Sequence, residues 1–562
     1  MAGSTQISRD DEVVPAAGKR SKAVGDKGDA QTDLWIFRDG RTTVCGPPLL
    51  RKLCEQLTEI RPERIVDLLI RAGELEATLS DADEDQFQNA AELTNALAEL
   101  LCSGTTSRAP LEIASRLQVP EKLSTAPPEG FTYYALHPLD FARVAERILD
   151  NPARCAILGI RSIGTTLSAV VLAALRAKGR HAERITVRPT GHPYDRRLRF
   201  SRKQLSWIQQ QLAIKAQFLV VDEGPGRSGS TFLSVAEGLE DAGVPRDAII
   251  VIGSRAFEPS SLCAQDAVSR WQFLSYISTV PSVNTRFQNC LYMGGGEWRT
   301  LLNLPSDAWP ECWTQMERLK FLTPDRKVLY KFEGMGPRGE EVRRRAFALA
   351  EAELVPAVED AGDGFLAWSM VSASPMSKEE LSTPFLEHVA RYLAYRFKYF
   401  SAQQSDPTEL GRMLEFNLQK EFGFCGRLNT DLLLTDDAVV TDGRVQPFEW
   451  ITSKSRFVKV DAISHGENHF FPGPCDIAWD LAGAAVEWEM SADARDFLLS
   501  RFRKLSGYDV SARMEIHALA YCIFRLGFCK MAMSTVRGSA EEKRLYSAYR
   551  KYSAHALRLV RT

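Results

Sequence analysis

Apolar and polar positions along the chain sort it into four stretches. Residues 1–32 are rich in Gly, Ala, Ser, Lys and Asp and show no apolar period, so they bury too little surface to offset the entropy of ordering and read as a disordered tail. From Leu34 to about Ala114 apolar residues recur at spacings of three and four, as in IVDLLIRAGELEATL, which predicts a helical N-terminal region over 33–123. The Pro-rich break Ser124–Gly130 follows. Short apolar runs then alternate with amphipathic segments: CAILGI, LSAVVLAALRAKG, RITVR, Leu205 to Ile214, FLVVD, Phe232 to Ala242 and AIIVIG. That alternation predicts an α/β domain over 124–293, a parallel sheet with helices on both faces. At Gly294–Trp298 a GGGEW segment reads as a flexible turn, and beyond it the texture changes. A strand KVLYKFEG, a charged helix and long amphipathic helices predict an α+β domain over 294–562.

The 70 basic and 72 acidic residues leave a formal charge of −2, so no chain-wide positive field draws nucleic acid or anionic membrane. The expected partners are small polar molecules, with a homodimer the one assembly left open. The most apolar run picked out, Leu167–Leu175, is far shorter than the roughly 20 residues a membrane span needs, and the polar N-terminus has no signal-peptide core, so the expected location is cytoplasmic. Eleven cysteines lie scattered without a C-x-x-C pair, which favours buried thiols over zinc or a disulfide framework.

Candidate chemistry begins at FLVVDEGPGRSGST, Phe218 to Thr231, an apolar strand running into two adjacent carboxylates and a turn of small residues. Asp222 and Glu223 suit two vicinal ribose hydroxyls, while backbone N–H groups at a helix start suit a phosphate. The strand–acid–acid–turn–helix pattern resembles the phosphoribosyl pyrophosphate motif of type I phosphoribosyltransferases, with one extra residue at its Gly224–Pro225–Gly226 end. The resemblance implies that Asp222 and Glu223 hold the ribose and that Ser228, Gly229, Ser230 and Thr231 hold its 5′-phosphate. It also implies a pyrophosphate loop in ILGIRSIGTTLSA, with Arg161, Ser162, Gly164 and Thr165 as donors and Mg²⁺ sharing the charge. Arg188 to Phe200, with Arg196, Arg197 and Arg199, reads either as a closing flap or as a solvated loop. Gly224, Gly226 and Gly229 also form a G-x-G-x-x-G, but the next strand ends in Gly253, Ser254 and Arg255 rather than an acid, against a dinucleotide fingerprint.

A second constellation begins at Lys331, inside KVLYKFEG with a helix following, the placement by which kinases aim a lysine at ATP phosphates. Downstream, TDGRVQPFEW…FVKVD…DIAWDLA resembles the aminoglycoside phosphotransferase branch of the kinase-like fold. The resemblance implies Asp442 as the catalytic acid–base residue, Asp461 and Glu449 as Mg²⁺ ligands, and a helix start at Asp476–Ala482. Glu351 is the expected partner of Lys331, with Glu341 and Glu353 as competitors. The chain departs from the family in having Val440 and Pro447 where His and Asn are usual. His465 and His469, four apart, are a second candidate metal pair, and Tyr133 and Tyr134 stand either as a cap on a substrate base or as core.

Together these motifs imply a bifunctional enzyme using Mg²⁺, ATP and phosphoribosyl pyrophosphate. One half would transfer a phosphoribosyl group to or from a nitrogenous acceptor and the other would phosphorylate a small metabolite. The competing reading is a regulatory protein that senses phosphoribosyl nucleotides, with a degenerate kinase-like half.

Overall fold

The computed structural model describes residues 34–82, 89–148, 154–192, 194–226, 228–371, 374–404, 406–453 and 456–561. The expected N-terminal tail lies outside the described residues, as do Pro193 of the expected flap and Arg227 of the glycine turn.

The N-terminal helical region is bracketed by an antiparallel pair, β1 (Thr42–Cys45) and β2 (Lys122–Thr125), around helices α1 (Gly46–Leu57), α2 (Ile65–Ala82), α3 (Asn89–Ser103) and α4 (Ala109–Ala114). Helix α5 (Glu129–Tyr133) then leads into the predicted α/β region. Here β3 (Arg154–Ile160), α6 (Ile163–Ala177), β4 (His181–Val187), α7 (Arg202–Ala213), β7 (Gln217–Val221), α8 (Ser230–Asp241), β8 (Ile249–Gly253) and β9 (Ser275–Ser278) build a parallel sheet of order β4-β3-β7-β8-β9. Between β4 and α7, β5 (Thr190–His192) and β6 (Asp195–Arg197) form a separate antiparallel pair from the expected flap. From β3 the chain goes to β4 on one side and later returns to β7 on the other. That reversal opens a crevice at the carboxyl ends of β3 and β7, where Ser162 and Asp222 begin the connecting loops.

Helix α6 is apolar almost all round, and residues Gly164 to Leu175 are buried, so it needs cover on both sides. The sheet supplies one cover and α2 with α3 the other. Leu69, Leu97 and Leu167 belong to one core that also takes Phe332 and Phe365 from the second half of the chain. The helical region is therefore a packed layer shared by both halves, not a separate unit.

The second sheet is antiparallel, formed by β10 (Leu291–Tyr292), β11 (Lys320–Leu322), β12 (Val328–Phe332), β13 (Val358–Gly362) and β14 (Phe365–Ser369) in the order β10-β11-β12-β14-β13. Helix α9 (Gly336–Glu351) follows the lysine-bearing β12, as the pattern predicted. Helices α10 (Thr383–Tyr399) and α11 (Glu409–Phe422), the hairpin β15 (Trp450–Ser453) and β16 (Arg456–Lys459), and α12 (Ala478–Glu487), α13 (Ala492–Ser506), α14 (Met514–Met533) and α15 (Ala540–Arg561) complete the chain.

Two features depart from the sequence reading. The segment Ser511–Met533 is long and apolar enough to cross a membrane, but 72% of its apolar window is buried inside the protein, as in a core helix. Its apolar character comes from α14 packing against α12 and α15. Leu34 to Phe37, expected to open the helical region, instead pack on the C-terminal half. The Trp35 amide donates to Asn417 Oδ1 at 2.7 Å, and Phe37 stacks on Phe470 at 4.9 Å.

Candidate functional site

A cavity of about 270 Å³ opens between the antiparallel sheet and the helical C-terminal part. Leu329 of β12, Trp368 and Met370 at the end of β14, Val355 and Ile451 give it an apolar slot, and Lys331, Glu333, Glu449, Asp461 and His465 give it a charged end. Lys331 is buried, pairs with Glu333 at 3.0 Å, and donates to Asp461 and Ser464. Burial alone would raise the Asp461 carboxyl, but Lys331, His465 and Lys320 pull it well below the ordinary range. Asp461 also has a left-handed backbone (φ 56°), uncommon outside glycine though Asp tolerates it best, and such conformations cluster at functional sites.

One ligand atom each from Glu449, Asp461 and His465 lies within 4.8 Å of the others, with His465 Nε2 at 3.6 Å from Asp461. Two carboxylates this close suit a hard divalent cation such as Mg²⁺, which takes one or two protein carboxylates and leaves its other positions to phosphate and water, although Lys459 and Lys331 hold them here. The two carboxylates paired from sequence as metal ligands thus stand together. His469, paired with His465 from sequence, does not join them. It sits in an aromatic cluster with Phe37, Tyr133 and Phe470, and burial lowers its imidazole to about 3.

Asp442 stands apart from the expectation. Its carboxylate is 0% exposed and does not line the cavity. Lys459 lies 3.4 Å away, Tyr392 donates its hydroxyl to it, and the Arg444 amide donates at 3.2 Å. Lys459 also bonds Glu449 at 3.0 Å. Burial disfavours the Lys459 ammonium, but Asp442 and Glu449 outweigh it and raise its pKa, whereas burial with Asp442 and Asp461 nearby raises the Glu449 carboxyl to about 7. The carboxylate expected to act as the acid–base residue is thus enclosed by Lys459, Tyr392 and the Arg444 amide and is turned away from the cavity lining.

The loop bearing Asp442 is fixed from below. Asp480 of α12 accepts from the Asp442 amide at 2.7 Å and the Gly443 amide at 3.0 Å, and Arg396 of α10 donates to the carbonyls of Thr441 (2.7 Å) and Ala462 (2.8 Å). One guanidinium thereby ties the Asp442 loop to the Asp461 loop. Glu351 is also corrected: it is exposed near the far end of α9, and the partners of Lys331 are Glu333 and Asp461. Glu333 and Lys459 were passed over, although each lies two residues from a residue already singled out, Lys331 and Asp461.

In the parallel-sheet crevice, the Asp222 carboxylate accepts from the amides of Glu223 and Gly164, joining the loops after β7 and β3. Gly164 is required there, because a Cβ would meet the Val221 carbonyl oxygen at 2.4 Å. Burial pushes Asp222 up to about 7, and burial with the charges of Asp222 and Glu129 pushes Glu223 up to about 8. Thr165 adds a buried hydroxyl with no partner among the described residues.

Other donors expected here are already engaged. The Arg161 guanidinium bonds Thr186, the Ser80 carbonyl and Asp81, pinning the end of α2 to the sheet rather than facing a diphosphate. The Gly229 amide donates to the Pro225 carbonyl at 2.7 Å and the Ser230 amide to Ser228 Oγ at 3.2 Å, so the loop satisfies part of its own nest. Leu262 and Trp271 cover it, and Ser228 and Ser230 are buried, while Thr231 at the first turn of α8 is partly open. The phosphate role assigned to Ser228, Gly229 and Ser230 is narrowed accordingly. Ser162, preceding α6, remains partly open.

Helix α5 separates the two sites. Gly130 brings it against Glu223, where a Cβ would come within 2.9 Å of the carboxyl, and Tyr133 and Tyr134 line the cavity on its other side. Trp298, expected in a flexible turn, stacks on Phe448 at 5.6 Å and donates to Glu317 at 3.1 Å, forming part of the cavity wall.

No family model matches the chain, and no curated protein sequence matches it. Among solved structures it is similar to the choline kinase LicA from Streptococcus pneumoniae (14% identity, 42% of this chain and 89% of that one, TM-score 0.29). It is also similar to a choline/ethanolamine kinase family protein from Mesorhizobium loti (16%, 46% and 93%, TM-score 0.28) and a choline kinase from Cryptosporidium parvum Iowa II (8%, 43% and 87%, TM-score 0.31). These likenesses are slight, and the chemistry below rests on the site's own geometry.

Proposed function

We propose that the C-terminal half is an ATP-dependent phosphotransferase acting on a small hydroxyl-bearing metabolite, and that the parallel-sheet half holds a phosphoribosyl group. The observation that carries the reading is the contact of Lys331 with Asp461 in a cavity whose wall also includes the apolar Leu329, Trp368 and Ile451. Phosphoryl transfer asks a protein chiefly for positioning and charge stabilisation. Lys331 would release Asp461 and turn to nucleotide phosphates, and Leu329, Trp368 and Ile451 would hold the base and exclude water. Asp442, clamped by Lys459 and Tyr392, sets the loop that carries Gly443 and Arg444 into the cavity. Glu449 and Asp461 would hold Mg²⁺, which neutralises phosphate charge when bound. In the other half, Asp222 and Glu223 would accept from ribose hydroxyls.

A second reading, nucleotide sensing without turnover, is favoured by one observation: Lys459 already engages both Asp442 and Glu449. Incubating the chain with Mg-ATP, phosphoribosyl pyrophosphate and a pool of small alcohols and amines separates the two. ADP that appears only with an acceptor supports the transferase, and binding of both nucleotide ligands without ADP or pyrophosphate release supports the sensor.

A further inference from the structure

The five residues of α5 touch both sites at once. On one side Gly130 lies against Glu223, and the charges of Glu129 and Glu223 bear on the Tyr134 phenol. On the other side every backbone carbonyl from Phe131 to Thr132 holds the kinase-like half: Phe131 O accepts from the Met335 amide at 3.0 Å, and Thr132 O accepts from Arg318 at 3.5 Å. Tyr133 donates to the Glu467 carbonyl at 3.1 Å, in the loop that follows Asp461 and His465. Arg318 lies over the Tyr133 ring at 5.5 Å and 3.7 Å from Glu333, which is 3.0 Å from Lys331. A continuous set of contacts therefore runs from Glu223 through α5 and Arg318 to the nucleotide lysine.

We infer that α5, through Tyr133 and Arg318, couples the two sites, so that a ribose phosphate held at Asp222 and Glu223 tightens nucleotide binding in the cleft, and the reverse. This rests on the phosphoribosyl reading proposed above. A ligand that fixes Glu223 fixes the wall against which Gly130 lies, and the same helix, through the Phe131 carbonyl, holds the turn from β12 to α9 behind Lys331. Ordering that wall once lowers the cost for the second ligand. Linkage makes the effect equal in both directions.

The test is calorimetric titration of the full chain with a non-hydrolysable ATP analogue and Mg²⁺, with and without saturating phosphoribosyl pyrophosphate, and then in the opposite order. The expected result is an affinity gain of about fivefold or more, equal in both orders, within the usual range of such couplings. In Tyr133→Leu and Arg318→Gln the ratio of the two affinities falls toward one, whatever either substitution does to each affinity alone. If both ligands bind and the ratio in the unaltered chain is one, the coupling is overturned and the two-site reading stands. If phosphoribosyl pyrophosphate produces no heat and no competition, the two-site reading falls and the coupling with it.

Discussion

Lys459 and Asp442 form an ion pair, 3.4 Å apart and 0% exposed on both side chains, between a strand end and the loop that sequence marks as catalytic. Glu449 completes a triad around the ammonium at 3.0 Å. Two buried carboxylates facing each other without a cation would not both stay ionised, so the lysine is what lets the loop keep its shape.

Replacing Lys459 with Met therefore leaves Asp442 and Glu449 buried and unpaired. The expected loss is about 3 kcal/mol or more of stability in the C-terminal half, read as a lower thermal midpoint with the parallel-sheet half less affected. Lys459→Met with Asp442→Asn recovers part of the loss, because the second change removes one stranded charge.

Lys331→Met removes the cation proposed to meet nucleotide phosphates and also leaves the buried Glu333 without its nearest cation, so some loss of stability accompanies it. Acceptor-dependent ADP formation is expected to fall by about 10²-fold or more, the cost of losing one preorganised charge donor. Circular dichroism and the melting curve check that the chain still folds.

Both acids of the parallel-sheet site have raised folded pKa values, about 7 for Asp222 and about 8 for Glu223. A carboxyl raised on folding adds stability that is fully present below its unfolded value and is lost as pH rises through the folded one. The protein is thus expected to lose stability between about pH 4 and about pH 8 through these two groups, and Glu223→Gln flattens that slope. Ribose hydroxyls need the ionised form as acceptor, so phosphoribosyl pyrophosphate affinity is expected to rise over about pH 6 to about pH 8.5, with the two carboxyls titrating as a pair.

Gly164→Ala tests the crevice by shape alone. Its Cβ would strike the Val221 carbonyl oxygen at 2.4 Å, forcing the loop after β3 away from β7 and from the Asp222 carboxylate. Phosphoribosyl pyrophosphate binding is expected to be lost while nucleotide binding without that ligand persists, both read by titration.

Much of this architecture was legible as pattern. Alternating apolar runs marked the parallel strands because β3 and β7 are buried on both faces, and the lysine strand with its following helix marked the second half. Asp461 and Glu449 were named together from the family resemblance, and they meet because the hairpin β15–β16 returns the chain to its start. What pattern does not carry is the direction of a side chain or its long-range partner. Arg161 and Ser228 lie in the loops the resemblance pointed to, yet Arg161 spends its donors on Thr186 and Asp81, and the Ser228 hydroxyl shares a hydrogen bond with that of Ser230. Asp442 has the expected spacing, but its orientation is set by Tyr392, Lys459 and Asp480 from three other elements. The helical region looked separate because amphipathic periodicity names an apolar face without naming what covers it. Here α6 and Phe332 cover it together.

The most direct measurement of the central claim is titration of Mg-ATP into the full chain and into Lys331→Met and Asp461→Asn. A single nucleotide site is expected in the unaltered chain, with an affinity that depends on Mg²⁺ and is strongly weakened in both variants. Equal nucleotide affinity in all three proteins would contradict it.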